Sequence, residues 1–279
     1  MESENPLILF DTHAHYDDDR FDEDREALLT TLPGEGIRFV VNIGSDQISL
    51  NACKELAERY DHVYCALGLH PSEVEDADEK EVMAQLKKDA LENPKVLAIG
   101  EIGLDYHWPE PAPELQRHWF RRQLQLAGEV NKPVVIHSRD AAGDTISILR
   151  EEHAEQLGGV IHCYSYGKEE AGDYLDLGFY FGIGGVVTFK NSRALKEALE
   201  IIPLERIVLE TDTPYLAPEP FRGKRNDSRN LVYVVRALAQ LKNTTPEEVA
   251  RITFENAKTL YRMGEINGTG ETGGAHGSC

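Results

Sequence analysis

Apolar residues along this chain come in short, nearly unbroken runs. Each run is followed by a longer stretch in which apolar positions recur at helical spacing. The runs are LILFDTH (7–13), IRFVVNIG (37–44), VYCALGLH (63–70), VLAIGEIG (96–103), PVVIHS (133–138), GVIHCYS (159–165), GFYFGIGG (178–185) and IVLETD (207–212). Runs this continuous predict strands buried on both faces, as parallel strands are. Helices are predicted over 22–32, 46–60, 79–92, 114–130, 140–151, 168–176 and 192–200, and over 229–242 and 246–262 after the last run. Thr245-Pro246-Glu247-Glu248 reads as a helix start: a Thr cap, proline at the first helical position and acids in the first turn. Eight strand–helix repeats within about 250 residues predict an α/β fold of the (β/α)8 barrel type. A doubly wound open sheet is the alternative, but no GxGxxG turn follows the first run to support it.

Composition narrows the class. The 279 residues are 41% hydrophobic and carry a net charge of −20. Such a charge argues against tight non-specific binding to nucleic acid, which relies on Lys and Arg at phosphates, though not against an enzyme that meets nucleic acid only at its active site. No run of about 18 apolar residues exists, so no membrane span is expected. Acids stand at the N-terminus where an export signal would have basic residues. Cys53, Cys65, Cys163 and Cys279 show no CxxC spacing, so reduced thiols and a cytoplasmic location are expected. One domain over 1–263 is expected, with no obligate protein partner. The Gly-rich segment 264–279 is expected to be a disordered tail.

The ends of the runs carry the chemistry. Run one ends in His13 and His15, run three in His70, run four in Glu101, run five in His137, run six in His162 and run eight in Asp212. In a barrel these are C-terminal strand ends, where active sites sit. Taken singly, each histidine has an ordinary reading as a core residue. Taken together, imidazoles and carboxylates at one end of several strands form a ligand set for zinc, manganese or magnesium. A structural protein gains nothing from burying so many ionisable groups. Two cations about 3.5–4 Å apart need a bridging carboxylate. Glu101, midway round the barrel, is the candidate bridge, since AIGEIG offers no lysine for carbamylation. Asp212 is placed to bind one cation and to orient or deprotonate the attacking water.

The motifs FDTHAH, GLHP, AIGEIGLDY, VIHSRDA, VIHCYS, ETDTPYLAPEPFRGKRN and ENAKTLYRM, spread over 7–263, resemble the TatD family of metal-dependent deoxyribonucleases, in its YcfH/YabD-like branch. The resemblance implies a TIM barrel, two divalent cations and hydrolysis of DNA phosphodiester bonds, with 3′–5′ exonuclease action in some relatives. Other relatives are described as D-aminoacyl-tRNA deacylases, which leaves an ester or amide hydrolase as the alternative. It implies His13, His15, Glu101 and Asp212 at one metal, Glu101, His137 and His162 at the other, and His70 facing the substrate. Two departures fall in loops expected to meet substrate: Tyr166 replaces a usual glycine in HCYSY, and Asp227-Ser228 end the KRNDS stretch.

Asp11 and Glu210 each precede a ligand by two residues and share its face. Either is a candidate to accept the second N–H of a ligating imidazole; an ordinary barrel-interior polar role is the competing reading. Arg222, Lys224 and Arg225 follow the last strand, where barrels often hold phosphate, and Arg139 follows the IHS ligand motif. These four are the candidate substrate contacts, with DNA bound at modest, salt-dependent affinity. His62, His118 and His153 read as structural, and His107 with Tyr106 and Trp108 as core or pocket wall.

Overall fold

A computed structural model of the protein describes residues 7–266. Eight parallel strands, β1 (Leu9–Ala14), β2 (Ile37–Gly44), β3 (Val63–Leu67), β4 (Val96–Asp105), β5 (Val134–Arg139), β6 (Gly159–Ile161), β7 (Tyr180–Ile183) and β8 (Ile207–Leu209), pair in sequence order. The barrel closes where β1 meets β8. Ala14 bridges Thr213 there, Asp212 donates its N–H to His13 O at 2.9 Å, and His15 donates to Thr213 O at 2.8 Å. This is the expected TIM barrel.

Helices α1 (Arg25–Thr31), α2 (Ser49–Arg59), α3 (Glu79–Glu92), α4 (Pro113–Glu129), α5 (Ala142–Glu151), α6 (Lys168–Asp176) and α7 (Arg193–Ala198) each link consecutive strands. After β8 come α8 (Leu231–Lys242), α9 (Pro246–Leu260) and α10 (Met263–Ile266). The predicted start of α9 is as expected: Thr245 Oγ1 accepts from the Glu248 N–H at 3.2 Å, with Pro246 in the first turn. The chain is helical through Ile266, past the 264 start expected for the tail; residues 267–279 lie outside the described residues. No described helix is long and apolar enough to cross a membrane.

Strand alternation divides the core. One parity, including Val40, Cys65, Ile99, Ile136 and Phe181, packs with Leu50, Leu86, Phe120 and Tyr174 of the surrounding helices. The other parity, Val41, Ile43, Ala66, Val135, Val160 and Val208, clusters with Leu260, Tyr261 and Met263. Side chains two residues apart on a strand share a face. His137 therefore follows Val135, His162 follows Val160 and Glu210 follows Val208 toward the same interior. The apolar cluster forms the floor, and the ionisable groups stand one layer above it.

Candidate metal centre

β6 and β8 are shorter than the predicted runs, with three residues each in the ladder. His162 and Asp212 thus sit just past their strands. The turns there are tight, with Cys163 at φ 46° and Asp212 at φ 55°. Shortening the strands frees these residues to turn inward over the barrel mouth.

The six expected ligands converge. His13 Nε2 lies 3.2 Å from His15 Nε2, 3.4 Å from Glu101 Oε2 and 3.8 Å from Asp212 Oδ1. His15 Nε2 is 3.5 Å from Asp212 Oδ1. On the other side of the same carboxylate, Glu101 Oε1 meets His137 Nδ1 at 2.7 Å, His162 Nε2 at 3.7 Å and His70 Nε2 at 3.9 Å. Glu101 therefore turns one oxygen to each of two imidazole sets. The His13 and His162 rings stack at 3.5 Å, so the two sets adjoin.

Outer partners aim the rings. His15 donates Nδ1–H to Ile43 O at 3.2 Å, and His162 donates Nδ1–H to Glu210 Oε2 at 3.2 Å, which points both Nε2 lone pairs into the centre. Glu210 Oε1 also accepts the Cys163 N–H at 2.7 Å, so one carboxylate fixes both ring and turn. Asp11 does not take this role. Its oxygens accept from Thr211 N–H and Oγ1, from Ser228 Oγ and from the His13 N–H, and reach no imidazole. Asp11 stands beside Val40 on the face that packs on the surrounding helices, where it is drawn to hydroxyls across the β1–β8 seam. Ser228 is likewise buried in that seam and bonded to Tyr16 OH at 2.7 Å, so this departure serves closure rather than substrate contact.

The charges fit cations. Burial opposes ionisation of Glu101, yet His162 and His13 outweigh it and hold the carboxyl well below its usual range. Asp212 is also lowered, as His15, His162 and His13 overcome its burial. Despite burial, Asp212 draws His15 up to about 9, and Glu210 with Glu101 draws His162 up to about 10. The carboxylates demand positive charge at these two places, which a bound metal cation would supply in place of the ring protons. Buried His13 Nδ1 has no hydrogen-bond partner among the described residues.

Sequence reading missed Asp105. Its Oδ2 lies 3.2 Å from His137 Nε2, so His137 is clasped between Asp105 and Glu101. The signal was present in GEIGLD, where Asp105 stands four residues after Glu101 on one strand. His70 is held differently, its Nδ1 bonded to Ser72 with Nε2 toward Glu101.

The basic candidates separate. Arg225 donates twice to Asp24, at 2.7 and 2.5 Å, and lies over the Phe21 ring, so its guanidinium is already engaged. Arg222 lies over Phe189 and Lys224 near Phe221. Among the described residues neither these two nor Arg139 has a carboxylate within salt-bridge distance. Arg139, the exposed last residue of β5, lowers Asp105 electrostatically and also acts on Cys163, which places its charge beside the centre. Tyr166 OH contacts Ser138 Oγ at 3.0 Å and accepts the Ala141 N–H at 3.2 Å, tying down the turn that carries Arg139. Tyr106 is fixed by Asp144 and Arg117, whereas Trp108 is exposed. His118 pairs with Glu79 and exposed His153 with Glu155, as structural readings require.

Replacing Glu210 with Gln leaves one acceptor for two donors. Metal affinity is expected to fall about 10–100-fold, the usual cost of losing an outer partner. Asp11→Asn is expected to leave metal affinity within about twofold and to lower stability by about 1–3 kcal/mol through unpaired buried donors. Calorimetric metal titration and thermal melts of both variants check this pair.

Comparison with known proteins agrees with the geometry. Residues 10–262 match the model of the TatD related DNase family. The chain is 43% identical over 256 residues to YabD of Bacillus subtilis (strain 168), covering 92% of this chain and 100% of that protein. It is 35% identical over 260 residues to YcfH of Escherichia coli (strain K12), covering 92% and 97%. Both are named as uncharacterized metal-dependent hydrolases. The crystal structure of YjjV, a TatD homolog from Escherichia coli K12, superimposes with a TM-score of 0.86 at 30% identity, covering 92% of this chain and 98% of that one. The chain belongs to the TatD family, and it is a metal-dependent hydrolase on a TIM barrel.

Proposed function

We propose that the protein is a deoxyribonuclease that hydrolyses phosphodiester bonds at the end of a single DNA strand, working 3′ to 5′, with two divalent cations at the centre. The division of Glu101's oxygens between two imidazole sets carries this reading, because it suits a pair of cations sharing one carboxylate. Such cations would neutralise developing charge on the phosphoryl oxygens and make an attacking water more acidic.

The chain's own groups do the rest. Asp212 is the more accessible of the two carboxylates, its side chain 18% exposed against 5% for Glu101. Its Oδ1 faces the imidazoles, which leaves Oδ2 to accept the proton from the attacking water. Glu101, enclosed, keeps its charge and its position. His70 Nε2 faces the mouth beside Glu101 and suits hydrogen bonding to the scissile group. Arg139 suits the adjacent phosphate, supported by Arg222 and Lys224. With a net charge of −20 the body repels a duplex, so these few cations favour a short contact at a strand end.

The test uses full-length protein stripped with chelator and reconstituted with magnesium, manganese or zinc. Metal-dependent release of nucleotides from 3′-labelled single-stranded DNA is the expected result, with KM rising as salt is added. Arg139→Ala should raise KM about tenfold, the loss of one charge-assisted phosphate contact. Arg225→Ala should instead lower Tm and leave KM unchanged. No turnover of DNA with any of the three metals overturns the proposal, and turnover of D-aminoacyl-tRNA alone reassigns the same site to ester hydrolysis.

A further inference from the structure

Cys163 is a residue the hydrolytic reading leaves unused. It follows His162 directly, and its backbone N–H is pinned to Glu210 Oε1 at 2.7 Å. Its sulfur, the His162 ring nitrogen and an Asp212 carboxylate oxygen all lie within 4.8 Å of one another. Ligands sharing one tetrahedral ion with bonds of about 2.0–2.3 Å lie roughly 3.3–3.8 Å apart. Closing the group around an ion therefore shortens these separations by at most about 1–1.5 Å. The other described cysteines are placed differently: Cys53 is buried against Asn42 and Asp17, Cys65 against Lys95 O, and neither belongs to a metal-capable group among the described residues.

Burial, then the charges of Asp212, Glu210 and Glu101, push the Cys163 thiol well up, so the sulfur keeps its proton until a cation displaces it. Cys163 also holds a left-handed backbone conformation that glycine would adopt at less cost. The side chain it presents there borders His162 and Asp212.

We propose that Cys163 Sγ is a further metal ligand, joining His162 and Asp212 so that the centre binds a thiophilic cation such as zinc or cobalt in preference to magnesium. The proposal rests on the metal-dependent reading of the centre. When the ion binds, the S–H bond breaks, the sulfur–metal bond forms and the proton passes to water; no oxidation occurs. A thiolate is a soft donor, so it adds affinity for zinc and cobalt and little for magnesium or manganese, which prefer oxygen. Metal choice at this site would then be decided by one sulfur among nitrogen and oxygen ligands.

Cobalt(II) titration of the chelator-stripped, full-length protein tests this without any substrate. Wild type should show visible ligand-field bands, which report bound cobalt, together with a near-ultraviolet sulfur-to-cobalt charge-transfer band. Cys163→Ser should keep the visible bands and lose the near-ultraviolet band. Zinc affinity should fall at least about tenfold in that variant, since even outer partners cost this much, while magnesium and manganese affinities change by less than about twofold. Cys163→Ala should behave as Cys163→Ser. Visible bands in wild type without the charge-transfer band overturn the proposal, as does a band that survives in both variants, because the other three cysteines are still present. Absence of all cobalt bands in wild type overturns the metal reading of the centre itself.

Discussion

Glu101→Gln is expected to lower metal-dependent hydrolysis at least about a thousandfold. The substitution keeps size and shape but removes the charge that faces both imidazole sets at once. Glu101 Oε1 meets His137, His162 and His70, and Oε2 meets His13. An amide offers one acceptor and turns its NH2 toward lone pairs that need a cation. Metal ions contribute several kcal/mol to a hydrolytic transition state, and about 4 kcal/mol corresponds to about a thousandfold in rate. Metal content by elemental analysis should fall with the activity. Asp212→Asn should lose less metal, since Asp212 borders one set more closely and is the more exposed group. Equal metal content in wild type and Glu101→Gln would show that Glu101 does not bridge.

The largest stability effect is expected at Gly103→Ala. Gly103 lies on β4 opposite His137 of β5, with φ at +144°, a conformation side chains rarely adopt. A Cβ there would lie 1.9 Å from the His137 carbonyl oxygen. That oxygen belongs to the strand carrying a ligand and cannot swing aside as a side chain can. Overpacking costs about 1–3 kcal/mol and the disfavoured backbone about 1–2 more. The sum is a large share of the roughly 5–15 kcal/mol that holds a typical domain together. Urea denaturation should show a markedly lower midpoint. Gly34→Ala is the control: nothing lies within 4 Å of its would-be Cβ, and its midpoint should move little.

The fold was legible because parallel strands buried on both faces must be continuously apolar, and the polar residue that ends each run is conspicuous against them. The same contrast exposed His13, His15, Glu101, His137, His162 and Asp212. Asp105 was hidden because β4 runs ten residues, longer than the run read for it, so an acid at its end looked like the start of a turn. Asp11 and Glu210 were indistinguishable by offset; only the closed barrel shows that one faces hydroxyls of the seam and the other an imidazole. Arg225 could not be told from Arg139, because a partner 201 residues away in sequence, Asp24, leaves no local trace. Spacing reports which face a side chain shares, and tertiary contact decides which neighbour it finds there.

The seam between first and last strands has a consequence in time. Asp11 and Thr211, bonded across it, are 200 residues apart in the chain. At about 5–20 residues per second on the ribosome, His13 and His15 emerge roughly 10–40 s before Asp212 can join them. For that interval β1 can pair with β2 on one side, but His13 and His15 wait for β8 and Asp212 on the other. The centre is thus among the last things a newborn molecule completes, and catalytic competence arrives only with the final turn of the barrel.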